Sequence, residues 1–136
     1  MITETKKEST KEFQLSQAVR LADVFVFAPA LFYAGLNKGL SPLLRSFLFI
    51  SAGWVAVMNG NNYLINAERQ KLAEKEKTEI AETQKTDLNR LYNIFVFSPI
   101  VIYAGTHKSF SPLMQKAIIS MGVASIIYNA YYTIKK

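Results

Sequence analysis

The sequence predicts an all-α protein: a duplicated helical hairpin whose four apolar helices are of membrane-spanning character, joined by a charged helical linker. Three observations carry that expectation. Residues 20–66 align without gaps on residues 90–136 at a constant offset of 70, and fourteen of the 47 pairs are identical. The charges are segregated, so that Val24 to Asn37, Ser46 to Ala67, Leu91 to His107 and Ala117 to Ile134 contain no Asp, Glu, Lys or Arg. Each copy also carries the same helix punctuation, a proline inside an apolar run followed by Tyr-Ala-Gly and Ser-Pro.

Residues 1–14 are polar and charged and read as a mobile tail. No basic start leads into a short apolar core with a cleavage site, as a signal peptide would. A first helix is expected from about Leu15 to Leu36. Its apolar part has no polar face, and a helix apolar all round must be buried in protein or lipid. Pro29 removes one backbone hydrogen bond and should kink it. Gly35 and Gly39 suit the left-handed backbone that ends a helix. Ser41 then serves as N-cap and Pro42 as first helical residue of a second helix, Pro42 to Asn66. The second copy repeats the pattern with Pro99, Gly105 and Ser111-Pro112, giving helices Leu88 to Gly105 and Pro112 to Ile134. The turns are Asn37 to Leu40 and His107 to Phe110.

A bilayer's hydrocarbon core needs about 20 helical residues, with about 17 as the lower edge. The first and third helices only meet that edge, while the second and fourth have ample length. The domain plan is therefore tail 1–14, hairpin 15–66, linker 67–86 and hairpin 87–136. The linker is rich in Ala, Glu, Lys and Gln, all good helix formers. It should continue the second helix as a solvated spacer and break near Thr86-Asp87, where a cap can start the third helix. An even number of spans puts both termini and the linker on one side. The Lys and Arg on that side, among them Arg20, Arg69, Lys75, Arg90 and Lys136, make it the cytoplasmic or interior one. Basic flanks of apolar spans also account for the +6 net charge, so nucleic acid is not an expected partner.

Nothing in the chain looks like a reaction centre. There is no cysteine, which excludes disulfides, thiolate zinc sites and thiol catalysis. No phosphate-binding glycine loop, zinc spacing, nucleophile elbow or carboxylate dyad is present. His107 is the one histidine, sits in a turn and has no acid nearby in sequence. No enzymatic activity, cofactor, metal or small-molecule substrate is expected. Asp23 lies at the edge of an apolar run, where its match is Asn93. Interfacial placement near a helix N-terminus, which favours an acid, is its expected role.

The candidate residues are structural. Pro29 and Pro99 shape the helices, and Gly35 and Gly105 end them. Tyr33, Tyr103, Tyr63, Tyr131 and Tyr132 fall near helix ends, where amphipathic aromatics rest at headgroups. Tyr128 and Trp54 lie deeper and should pack. Asn59 and Asn129 sit late in the second helix of each copy, either hydrogen-bonding between helices or lining a polar pore. Ser51, Ala52 and Gly53 in one copy, and Gly122, Ala124 and Ser125 in the other, allow close helix approach.

The pattern Arg-Leu-x-x-x-Phe-Val-Phe-x-Pro-x-x-x-Tyr-Ala-Gly, then Ser-Pro-Leu, then Tyr128-Asn129 or Asn61-Asn62-Tyr63-Leu64, resembles a family. It is that of short uncharacterised helical-hairpin proteins encoded by double-stranded DNA viruses, both tailed phages and large eukaryotic viruses. The resemblance covers residues 20–66 and 90–136. It implies a viral origin and a virion or host-membrane location, and it brings no catalytic residues. Met58 stands where the second copy has Tyr128, so the closing motif is incomplete in the first. Together these readings predict a small non-enzymatic membrane protein, a structural component of a virion or membrane assembly. Its expected partners are the lipid membrane and copies of itself or a larger protein assembly. A small holin-like pore, and an apolar subunit buried in a large protein assembly, are the alternatives.

Overall fold

The computed structural model describes residues 3–8, 10–76 and 80–134. Expectations for residues 1, 2 and 9, for 77–79 of the linker and for Lys135 and Lys136 lie outside the described residues. The chain runs β1 (Thr3–Glu8), α1 (Thr10–Ala22), a π-helical turn (Asp23–Phe27), α2 (Ala28–Gly35), α3 (Pro42–Glu76), β2 (Ile80–Lys85), α4 (Asp87–Tyr92), a second π-helical turn (Asn93–Phe97), α5 (Ser98–Gly105) and α6 (Pro112–Ile134). It is mostly helical, and α2 packs on α3 as α5 packs on α6.

The two π-helical turns are the backbone's response to proline. In a regular α-helix the Pro29 ring would meet the carbonyl of Phe25, and Pro29 has no N–H to donate. Widening the preceding turn removes the clash: the Ala28 N–H reaches back five residues to the Asp23 carbonyl. Ser98 makes the same bond to Asn93 ahead of Pro99. The helix therefore continues through Pro29, and Lys11–Gly35 is one stretch of 25 residues. It begins earlier than Leu15, which leaves Asp23 in mid-helix; the helix-dipole argument for Asp23 does not hold.

Gly35 and Gly39 do not take the left-handed conformation, and Leu36 after the helix has φ −72°. Gly35 is instead a contact point: a Cβ there would lie 2.8 Å from the Phe49 ring, and one on Gly105 would lie 2.9 Å from Ile119. Small residues at these positions let α2 and α5 close onto α3 and α6. Both turns are finished by side chains. Ser41 and Ser111 accept the N–H of Leu44 and Met114, each at 3.2 Å, with Pro42 and Pro112 as the expected first residues. Arg45 donates to the Gly35 carbonyl at 2.8 Å, and Gln115, 70 residues later, donates to the His107 carbonyl at 2.8 Å.

The apolar core joins the hairpins. Leu31, Ala34, Leu48 and Ala52 from the first meet Val101, Ala104 and Ile118 from the second. Phe97 sits between them, its ring centroid 5.8 Å from Phe27 and 6.2 Å from Phe47. At the turn end Asn37 donates to Ser109 at 2.8 Å, which ties one hairpin tip to the other.

The opposite end departs from the expected tail and helical linker. Residues 3–8 form β1, which pairs antiparallel with β2, from Thr3 opposite Lys85 to Glu8 opposite Ile80. The linker stays helical to Glu76 and then turns into a strand. Helix side chains hold that strand: Asn66 takes both the N–H and the carbonyl of Thr83, at 2.7 and 2.9 Å, as a neighbouring strand would. Arg69 donates to the Ala81 carbonyl at 3.2 Å. Tyr132 donates to Glu12 at 3.2 Å and accepts from Ser16, which draws the end of α6 to the same place. The N-terminal strand, the linker and the end of α6 thus share one end of the molecule.

Among the described residues, three helices are long and apolar enough to cross a membrane: Lys11–Gly35, Pro42–Glu76 and Pro112–Ile134. This is three rather than the four expected. The helix from Asp87 to Gly105 drops out because Asp87, Asn89, Arg90 and Asn93 occupy its first two turns, leaving an apolar stretch too short for a bilayer.

Candidate functional site

The polar residues that sequence reasoning picked out separately come together in a cavity of about 280 Å³ between the hairpins. Both π-helical turns line it, through Asp23 and Phe27 from one and Asn93 and Phe97 from the other. Asn59 and Asn129 line it from α3 and α6, and Lys85 enters from the end of β2. Turns of this kind are frequent at functional sites. Here they face each other at positions 70 residues apart.

The asparagines do less between helices than expected. Each donates its amide to the carbonyl one turn back in its own helix, Asn59 to Val55 at 2.9 Å and Asn129 to Ser125 at 2.7 Å. Asn129 also accepts from Asn93 at 3.4 Å, so only the second hairpin carries an amide bridge of the kind predicted. With the NH₂ of Asn59 committed, its carbonyl oxygen is the group left to accept. Burial pushes Lys85 below its ordinary lysine value, the Asp23 carboxylate opposes that shift, and Arg90 and Arg20 reinforce it.

Beside the cavity lies a polar cap built on β2. Arg20 and Arg90, 70 residues apart, are both buried. Arg20 pairs with Glu82 at 3.1 Å and donates to the Thr83 carbonyl at 3.0 Å and to Gln17 at 2.7 Å. Arg90 reaches Gln84 at 3.5 Å and lies 4.9 Å above the Tyr132 ring and 5.8 Å from that of Tyr128. Glu82 and Gln84 are two apart on one strand, so both face the helices. Tyr132, expected at the interface, is buried in this cap, and Tyr128 packs against it at 4.8 Å.

A groove of about 440 Å³ opens sideways between α3 and the α4 helix. Trp54, Val55, Asn93 and Phe97 line both groove and cavity, so the two spaces adjoin. Trp54 is half-exposed rather than packed inside. The other sequence candidates lie elsewhere. Tyr33 and Tyr103 are exposed near the turn end, and Tyr103 stacks edge-on against His107 at 5.1 Å. His107 Nδ1 sits 3.3 Å from the carbonyls of Tyr103 and Ala104, remote in the fold from the polar cap. Of the small residues, Gly122 is a close approach, 3.2 Å from the Ser98 carbonyl to an added Cβ, while Gly53 faces open space.

Sequence reasoning missed Lys85, Glu82 and the burial of both arginines. The signal for the arginines was present, since Arg20 and Arg90 stand 70 residues apart, each at the charged edge of an apolar run. No signal marked Lys85, one of several lysines in a charged segment. Comparison with protein-family models, with curated proteins and with solved structures finds no match to this chain.

Proposed function

We propose that the chain is a small, non-enzymatic integral membrane protein, a structural component of a virion or other membrane assembly that packs against copies of itself or a larger protein. One observation carries this reading. The apolar stretches of the three span-capable helices are only 28%, 28% and 22% buried within the chain. Phe25, Leu43, Ile50, Val57, Phe95 and Ile127 all point outward. An apolar surface of that extent needs lipid or a protein partner to cover it. The two hairpins are read as duplicated units related by an axis along the membrane normal. The polar cap and its lysines and arginines then lie on the cytoplasmic or interior side. At 35 residues α3 is about 52 Å long, so its last turns project past a hydrocarbon core of about 30 Å to meet the cap.

Carbonate extraction followed by flotation of the protein expressed alone tests the reading. Protein that stays with the floated membranes supports it. Protein that washes off places the apolar helices inside a large protein assembly instead. A second reading, a small pore, draws on the cavity with its Asp23, Lys85 and asparagines. Phe27, Phe47 and Phe97 pack ring against ring between the hairpins, which favours the structural role. Dye release from loaded vesicles on addition of the protein would reverse that preference.

A further inference from the structure

The cavity and the groove make one largely apolar site, with charged side chains only at the cap end, where Asp23 and Lys85 enter it. The cavity offers one carboxylate, Asp23, and one ammonium, Lys85, with the Asn59 carbonyl beside them. Such a set complements a group that carries both signs of charge at once. A simple anion would meet Asp23, and a simple cation would meet Lys85. The groove then leads away from the cap. Its cap-end wall is Leu88 and Tyr92, and its far wall runs along α3 from Trp54 back to Phe47. The seven helical steps between them span about 10 Å, a third of a hydrocarbon core of about 30 Å. Ile50 and Leu88 are exposed at its mouth, so the groove opens to whatever surrounds the helices.

We propose that this site holds one zwitterionic phospholipid, with its phosphate at Lys85, its ammonium at Asp23 and the upper half of one acyl chain lying in the groove. The inference rests on the membrane reading above, and it adds depth to it. Asp23 and Lys85 lie at the charged end of the spans, where headgroups sit, and the groove runs from there toward the bilayer middle. The cavity and groove volumes, about 280 and 440 Å³, fall around the lower part of the range of about 300–1,000 Å³ usual for ligand sites. A head and the upper half of one chain fit that space. The second chain stays in the bilayer.

The test uses the full chain, reconstituted in vesicles of equal phosphatidylethanolamine and phosphatidylglycerol, checked by flotation and then extracted in mild detergent. Native mass spectrometry reads the retained lipid. One phosphatidylethanolamine per chain is expected, preferred over phosphatidylglycerol by about tenfold, which is about 1.4 kcal/mol. Asp23→Asn, which installs the residue of the matching position 93, should abolish most of that preference. Val55→Trp should fill the wall shared by cavity and groove and prevent retention while the protein still floats. Wild-type protein that floats but retains no lipid overturns the inference and leaves the membrane reading intact. Equal retention of both lipids, an unchanged preference in Asp23→Asn, or lipid still held by Val55→Trp overturns it as well. Wild-type protein that does not float overturns both.

Discussion

Glu82→Gln is the sharpest probe of the polar cap. The Glu82 side chain is fully buried and that of Arg20 is 7% exposed, with the two 3.1 Å apart. Gln at this position keeps the volume, removes the charge and puts an amide NH₂ in place of one of the two oxygens that accept from Arg20 and Gln84. Breaking a buried ion pair by removing one partner costs about 3–5 kcal/mol, because the other charge is left in a medium that solvates it poorly. Arg20 would keep Gln17 and the Thr83 carbonyl as acceptors, which puts the expected loss near the lower end, about 3 kcal/mol. That is a large share of a total stability of about 5–15 kcal/mol. Denaturant-titrated unfolding in a fixed detergent, followed by far-ultraviolet ellipticity, measures it. The double variant Arg20→Met with Glu82→Leu removes both charges and should recover most of the loss. Gln84→Ala, which takes an acceptor from Arg90 and a donor from the buried Glu82 carboxylate, should cost about 1.5–3 kcal/mol. A loss below about 1 kcal/mol for Glu82→Gln, or a double variant worse than the single, would refute the idea that the pair is held by mutual neutralisation.

Three further outcomes are expected. Gly122→Ala would place a Cβ 2.5 Å from Ile102 and 3.2 Å from the Ser98 carbonyl, an overpacking worth about 1–3 kcal/mol. Gly53→Ala meets nothing within 4 Å and should gain about 0.5–1 kcal/mol from helix propensity; thermal midpoints of the two should move in opposite directions. Asn66→Ala strands the N–H and one acceptor site of Thr83 at a buried position and should lower stability by about 1–3 kcal/mol, with faster amide exchange at Thr83 as the local reading. The lowered Lys85 value gives a pH dependence: between it and the ordinary 10.5 the unfolded chain binds more protons than the folded one, so stability rises with pH across that window. Lys85→Met should flatten that rise in thermal midpoints recorded across the alkaline range.

The hairpin elements were legible because local signals and packing agree on them. Apolar runs, proline, a small residue and a Ser-Pro cap all specify the same helix and turn, and α3 and α6 begin at Pro42 and Pro112 as that grammar requires. The strands were not legible. Thr3–Glu8 and Ile80–Lys85 have no apolar alternation, and the linker's composition favours helix. Tertiary contacts decide their conformation: Asn66 and Arg69 reach β2 from the helix that precedes it, and Arg20 from α1, 62 residues before Glu82. The third span was misjudged for a related reason. Its polar first turns looked like membrane flanks, whereas Asn89 and Arg90 are buried under the cap. The cavity was half legible. Asp23, Asn59 and Asn129 stood out as polar residues near apolar runs, but the strand that delivers Lys85 among them did not.

The placement of β2 gives the two hairpins different partners. A single strand can offer adjacent inward positions to Arg20 and Arg90, and it offers them different partners, a carboxylate at Glu82 and an amide at Gln84. The second hairpin answers with aromatic faces, since Tyr128 and Tyr132 stand where the first has Met58 and Asn62. A cation over such rings gains roughly 0.5–2 kcal/mol, less than a buried carboxylate supplies. The same asymmetry continues into the cavity, with Asp23 on one side and Asn93 on the other, and with Lys85 following directly from the strand that carries Glu82 and Gln84. Symmetric halves would have presented two equal polar groups to the space between them. One inserted strand turns that space into a site with a carboxylate and an ammonium, and thereby gives it a direction.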